Sequence, residues 1–480
     1  MVEMKRSMTA LCILIYMTAA SQTTIPPLPD RKQLDWQNRP FYLFMHFGPN
    51  TFTDLEWGKG SEKEAVFNPT ALDCRQWCRI AKEAGATGIV ITAKHHDGFC
   101  LWPSAWSKHT VAKSSWRKGK GDVLKELSAA CREYGLSMGV YLSPWDRNHP
   151  SYGTPAYNQV FINMMKEVVS KYGPFFEFWW DGANGEGPNG KKQEYDWSAF
   201  ESTIREIAPG TMVFSDIGPD MRWVGNENGI VGSTNWNLLD TAGFSRGLGA
   251  PPNDTLNQGN VNGKNWIPAE CDVSIRPGWF YHAKEDSLVK SPEKLFDIYL
   301  KSVGRGANLI LNVPPDPRGL ISPYDSAALM DFARLRAKSF QEDLIIKERA
   351  YIYMGGKDLT DFFTGNDSSL YEGEKKIKKL QPFTENRYLD IYFSKKQTVN
   401  CIKLKEPIEY GQLVKSFTIE MYDSDLLTYH KAFTTIGSRR LISFPARQCN
   451  RIRIRITDSK GDPTIETISV YNIPEELVEK

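Results

Sequence analysis

The sequence predicts an α/β fold: a (β/α)8 TIM-like barrel over about residues 30–345, followed by a C-terminal antiparallel β-sandwich over 346–480. Three observations carry this. Short apolar strands alternate with amphipathic helices from about residue 40 to 345, which implies βα units and a parallel sheet. Polar side chains gather at the C-terminal ends of those strands, where a closed barrel builds its active site. Beyond residue 346 the helical period fades and segments of strand-like alternation take over.

Each element follows from local pattern, beginning at the N-terminus. Lys5 and Arg6 precede an apolar core from Met8 to Ala19, with small residues at Thr18, Ala19, Ala20 and Ser21. That order of charge, apolar run and small residues reads as a secretory signal (residues 1–20), so an exported protein, periplasmic or secreted, is expected. The run is too short to span a bilayer, and no later stretch is long enough. "FYLFMHFG" (41–48) opens the barrel, followed by the helix "DCRQWCRIAKEAG" (73–85) and the strand "ATGIVITAKHHDGF" (86–99). The helix "GDVLKELSAACREYG" then leads to the strand "LSMGVYLSPWD", and "NQVFINMMKEVVSKYG" leads to "FFEFWWDGAN" (175–184). "DWSAFESTIREIAPG" precedes "TMVFSDIG", "IPAECDVS" reads as a later strand, and "GANLILNVPPDPRG" (306–319) as the last. Glycine closes several of these helices, as expected at a C-cap. No glycine-rich phosphate loop follows the first strand, which favours a barrel over a nucleotide-binding open sheet.

The sandwich segments are "RYLDIYFS", "TVNCIKLKE", "VKSFTIEMYD", "RRLISFP", "NRIRIRITD" and "TIETISVYN". The alternation of Arg451, Arg453 and Arg455 reads as a solvated sheet face. With 24% charged residues and a formal net charge of +2, neither a nucleic-acid nor an acidic-membrane partner is indicated. The 14 tryptophans suit a sugar-binding cleft as well as a large core. Cys74, Cys78, Cys100, Cys131, Cys271, Cys401 and Cys449 are scattered without the spacing of a zinc site, so buried free thiols are expected.

On strand periodicity Glu177, Trp179 and Asp181 share one face of "FFEFWWDGAN", pointing into the barrel, while Phe176, Phe178 and Trp180 share the other. Asp181 stands at the mouth. It is either functional or a cap for the turn begun by Gly182. His46, His95, His96 and Asp146 end neighbouring strands. The adjacent histidines can address one ligand only where the strand terminates, and they lack the partner spacing of a metal site; hydrogen-bonding imidazoles fit better.

Together "HFGPNTFTDLEWG", "AKHHDGFCLW", "GVYLSPWDRN", "FEFWWDGANG" and "NLILNVPPDPRGLI" resemble glycoside hydrolase family 29, the retaining α-L-fucosidases, in order across the whole barrel. The tail "IEYGQLVKSFTIE" is similar to the discoidin-like, carbohydrate-binding-module-like sandwich that often follows. The resemblance implies that Asp181 is the nucleophile and that a second carboxyl group about 5–5.5 Å away serves as acid/base. Glu227 in "RWVGNENG" is the first candidate for that group and Glu270 in "IPAECDVS" its rival, while the shorter Asp216 suits a structural or substrate hydrogen bond. It further implies that His46, Glu56, Trp57, His95 and His96 grip the sugar hydroxyls, with Trp179 lining the site; Tyr141 projects inward on the period-2 reading of "LSMGVYLS". "SPWDRN" resembles the subgroup acting on α-1,3/1,4-linked fucose of branched glycans. Trp145, Asp146 and Arg147 would then touch the neighbouring galactose; the alternative is an Asp146–Arg147 salt bridge with Trp145 as packing. The expected substrate is a fucosylated oligosaccharide, with neither metal nor cofactor. A retaining glycosidase for a related sugar such as galactose, or a non-catalytic glycan-binding protein, are the other readings of the same fold.

Overall fold

A computed structural model describes residues 24–247, 249–346, 348–364, 383 and 387–478. The segment read as a secretory signal lies outside them. Eight parallel strands close a barrel: β1 (Phe41–Met45), β2 (Gly88–Lys94), β3 (Ser137–Leu142), β4 (Glu177–Trp179), β5 (Met212–Ser215), β6 (Met221–Trp223), β7 (Ala269–Ser274) and β8 (Asn308–Asn312). Each pairs with its neighbours in sequence, and β8 returns to β1 with Leu309 opposite Phe41. Every barrel strand is buried almost throughout, as a parallel sheet walled by helices must be.

Preceding the barrel is α1 (Arg31–Gln37), and around it lie α2 (Cys74–Glu83), α3 (Val123–Tyr134), α4 (Ala156–Tyr172), α5 (Trp197–Ile207), α6 (Pro292–Lys301) and α7 (Pro323–Ser339). Asp73, Asp122 and Asp196 cap α2, α3 and α5 by accepting a first-turn backbone N–H. The regular alternation breaks after β5. Only Asp216 to Asp220 separate β5 from β6, and the 45 residues between β6 and β7 hold one short helix (Asn253–Gln258) and a two-stranded ribbon. Strand β6 has no counterpart in the sequence reading.

Two apolar layers position the site. Outside the sheet, Phe178 and Trp180 pack with the helices. Inside it, Tyr42, Phe44, Tyr141, Trp179, Phe214 and Ile310 fill the barrel with Trp36 of α1. Phe176 departs from the expected outer face. It precedes β4, packs edge-on against Tyr42 with centroids 5.1 Å apart, and belongs to the inner layer. Strand alternation does not bind a residue that the strand has not yet reached.

The C-terminal domain is one antiparallel seven-stranded sheet folded around its own apolar cluster, to which Ile345 already belongs. Its two longest strands, β10 (Tyr388–Lys405) and β13 (Arg440–Ser459), pair with each other through bulges. β9 (Ala350–Met354) lies against the first half of β10, and β14 (Thr467–Tyr471) against the second. β11 (Val414–Asp423) and β12 (Leu426–Thr434) continue the sheet from β13. On the face away from that cluster, Arg451 stacks on Tyr422 at 3.9 Å and Arg453 on Tyr388 at 4.0 Å. Arg453 also makes two 2.7 Å bonds to Asp390. All seven cysteines named above are buried and free. Among the described residues no helix is long and apolar enough to cross a membrane.

Candidate active site

The C-terminal ends of the strands surround a cavity of about 200 Å³, with Phe44 and Trp179 in its wall. Trp179 is held between Phe214, stacked at 3.9 Å, and Tyr141 at 5.3 Å. Two residues beyond β4, Asp181 turns into this cavity. Its Oδ1 accepts the Ala183 N–H (2.8 Å), so the turn-capping role is real. Its Oδ2 accepts the Tyr141 hydroxyl (2.9 Å) and lies 3.6 Å from His96 Nε2. The cap therefore occupies one oxygen of the carboxylate, and the other faces Tyr141 and His96 in the pocket.

β2 ends at Lys94, and His95 and His96 both turn inward with ring centroids 4.2 Å apart. Burial holds the three pocket histidines neutral: it depresses His46 to about 3, His96 to about 4, and His95 well below the ordinary value. The tautomers follow from their partners. Asn312 donates from Nδ2 to Ser274 Oγ and to the Trp279 carbonyl, so its Oδ1 must accept from His46 Nδ1, 2.8 Å away. Ser143 donates to the Trp145 carbonyl and so accepts from His96 Nδ1 (2.8 Å). Both rings are left with an Nε2 lone pair to receive a hydroxyl proton. His95 Nδ1 is buried with no hydrogen-bond partner among the described residues, another polar atom suited to a ligand hydroxyl.

A second carboxylate, Glu227, lines the cavity from the exposed loop after β6 and accepts the Trp279 indole N–H at 3.2 Å. Asp272 lines it as well. It accepts the Trp223 indole N–H (2.9 Å), and burial, reinforced by Glu227 and Glu270, lifts its pKa well above the carboxylate range. Asp216 directly follows β5 and lies beside Gly182, where a Cβ would stand 2.5 Å from its Oδ2. Burial and the Asp181 charge push it up to about 6.

Glu56 and Trp57 also reach the cavity. Trp57 is 58% exposed at the rim, edge-on to Trp145 at 5.7 Å. Glu56 accepts the backbone N–H groups of Trp279 (2.9 Å) and Phe280 (3.1 Å).

Three expectations need correcting. Asp146 does not face a substrate: it is fully buried and paired with Lys94 at 3.4 Å, and it caps the N–H groups of Asn148 and His149. Nor does it pair with Arg147, whose guanidinium donates to the Gly58 carbonyl and lies 5.2 Å over the Trp145 ring. Glu270 is at the start of β7, wholly buried beneath the pocket, where it accepts the Trp179 indole N–H (2.9 Å) and bonds the Tyr42 hydroxyl. Burial and neighbouring Glu177 push its pKa well up, so it acts as a floor beneath Trp179. Trp145 packs behind His96, with ring centroids 4.7 Å apart, and does not line the cavity. Asp272, Asn312 and Trp279 were not anticipated. Asp272 shares an inward face with Glu270 two residues earlier, and Asn312 ends β8, so strand alternation could have found both. Trp279 is in an irregular loop and offered no such signal.

Carboxylates and neutral imidazoles around a small, aromatic-walled pocket at a barrel's C-terminal mouth define the class: a barrel glycoside hydrolase. A family model described as alpha-L-fucosidase matches residues 17–337. Alpha-L-fucosidase 1 of Arabidopsis thaliana is 40% identical over 451 residues, 93% of this chain and 88% of the relative. A solved glycoside hydrolase 29 family member from an unknown rumen bacterium is 39% identical with a TM-score of 0.81, covering 94% of this chain and 78% of that one. A Ruminococcus gnavus family 29 fucosidase in complex with fucose superposes with a TM-score of 0.84 at 29% identity, covering 96% and 98%. The chain belongs to the alpha-L-fucosidase family, glycoside hydrolase family 29. It is an α-L-fucosidase, which leaves the galactosidase and lectin readings without support.

Proposed function

We propose that the enzyme removes terminal α-1,3/1,4-linked L-fucose from branched glycans with retention of anomeric configuration. Asp181 attacks the anomeric carbon while Glu227 protonates the departing glycosidic oxygen. Water, deprotonated by Glu227, then hydrolyses the fucosyl ester on Asp181. The observation that carries this reading is Asp181 Oδ2, turned into the pocket by Tyr141 and sharing that pocket with Glu227. The neutral histidines supply directional acceptors for the sugar hydroxyls, and Phe44 and Trp179 supply an apolar wall for its methyl group. Exposed Trp57, with Trp145 and Arg147 behind it, gives the rim an aromatic and cationic shelf for the sugar that carries the fucose.

Proton NMR of the first-released sugar from a panel of fucosylated oligosaccharides tests both parts. α-L-Fucose should appear before mutarotation, and fastest from branched α-1,3/1,4-linked substrates. Initial release of the β-anomer would overturn retention, and faster release from linear α-1,2-linked substrates would overturn the linkage.

A further inference from the structure

Glu227 stands on an exposed loop, yet an acid that protonates one oxygen must be held in place. Its carboxylate accepts the Trp279 indole N–H. Trp279 lies in the turn 278–280, which belongs to no strand or helix. A carboxylate holds that turn, since Glu56 accepts the N–H groups of both Trp279 and Phe280. Gly278 permits the close approach: a Cβ there would lie 2.4 Å from Glu56 Oε1. Glu56 is itself fixed by His282, whose Nε2 is 2.7 Å from Oε1 and whose Nδ1 bonds Asp54. Imidazole between two carboxylates must donate from both nitrogens, which makes it an imidazolium. Burial opposes that charge, but the carboxylates outweigh it and raise the His282 pKa. His282 itself does not line the pocket.

We propose that His282 and Glu56 are positioning residues for the acid/base, clamping the 278–280 turn so that the Trp279 indole keeps the Glu227 carboxylate on the departing oxygen. The inference rests on the reading of Glu227 as acid/base. It assigns His282 a part in the reaction without contact with the substrate.

Leaving-group dependence tests it. A departing sugar needs protonation, whereas a nitrophenolate leaves with little help, so loss of acid positioning must fall selectively on the natural substrate. In His282→Leu, kcat/KM for a fucosylated oligosaccharide should fall by about a hundredfold, and that for nitrophenyl α-L-fucoside by no more than about threefold. Retained nitrophenyl turnover also reports a folded enzyme. His282→Gln keeps a donor near the Nε2 position and should restore most of the oligosaccharide activity, whereas His282→Asn, reaching only Asp54, should not. This Gln/Asn contrast serves equally if the leucine variant fails to fold. Equal losses on both substrates, or losses on neither, would overturn the clamp. Glu227→Gln separates the two ideas. If that variant shows no leaving-group selectivity, the acid/base assignment is wrong; if it does and the His282 variants do not, only the clamp is wrong.

Discussion

His96 shows how much a single side chain is altered by its surroundings. Free imidazole titrates near neutrality, but burial holds His96 neutral down to about pH 4, with Asp181 only partly countering. Below pH 6.5 the unfolded chain therefore takes up a proton that the folded chain refuses, so this group removes stability as pH falls from 6.5 to about 4. The window is worth up to about 3 kcal/mol. His96→Gln should melt progressively closer to, or above, the wild type across that range, while any gap between them stays constant above pH 7. Parallel melting temperatures from pH 4 to 7 would contradict the assignment. The place of His96 at a strand end was legible in the sequence; its tautomer was not. That depends on Ser143, which is fixed in turn by the Trp145 carbonyl, in a chain of donors visible only in three dimensions.

At the scale of elements, the loop after β3 is anchored by the last residue of β2. Lys94 is fully buried, 3.4 Å from Asp146, and also donates to the Trp145 carbonyl and the Tyr157 hydroxyl. Local reading of "SPWDRN" could pair Asp146 only with its neighbour or with a ligand, because the true partner is 52 residues away by sequence number, 146 against 94. Strand β6 was missed for a related reason: three residues following β5 without an intervening helix give no period to detect. β1 to β5, β7 and β8 were legible as short strand-like runs, most of them flanked by long helices. Removing one member of a buried pair strands the other charge, so Lys94→Met should destabilise the barrel by about 3–5 kcal/mol. Arg147→Met loses its bond to the Gly58 carbonyl and should cost no more than about 1.5 kcal/mol. Denaturant titration distinguishes them, and a larger loss in Arg147→Met would restore the Asp146–Arg147 pairing.

At the scale of the molecule, the C-terminal sheet braces the irregular half of the barrel. Leu441, Tyr471, Ile473 and Leu477 join the barrel's outer apolar cluster, and Phe340 of the barrel packs edge-on to Tyr471 at 5.2 Å. The excursion between β6 and β7, which carries Glu227, lacks a long helix of its own. Its chain is instead held from the sheet domain: Thr435 accepts the Asn235 N–H, and Arg440 donates to the Ser233 carbonyl. Gln412 is the most exacting of these ties. Buried, it accepts the Asn237 N–H and donates to the Asn235 carbonyl, both at 2.8 Å, satisfying two backbone groups that no barrel helix serves. In Gln412→Leu both groups are left unpaired at about 1–3 kcal/mol each. Because the lost bonds cross between domains, calorimetry should show the barrel and sheet unfolding at lower temperature together, with fucosidase activity falling at the same midpoint. If the variant melts as the wild type does, or if only the sheet is weakened while the barrel keeps its activity and midpoint, Gln412 does not couple the two domains.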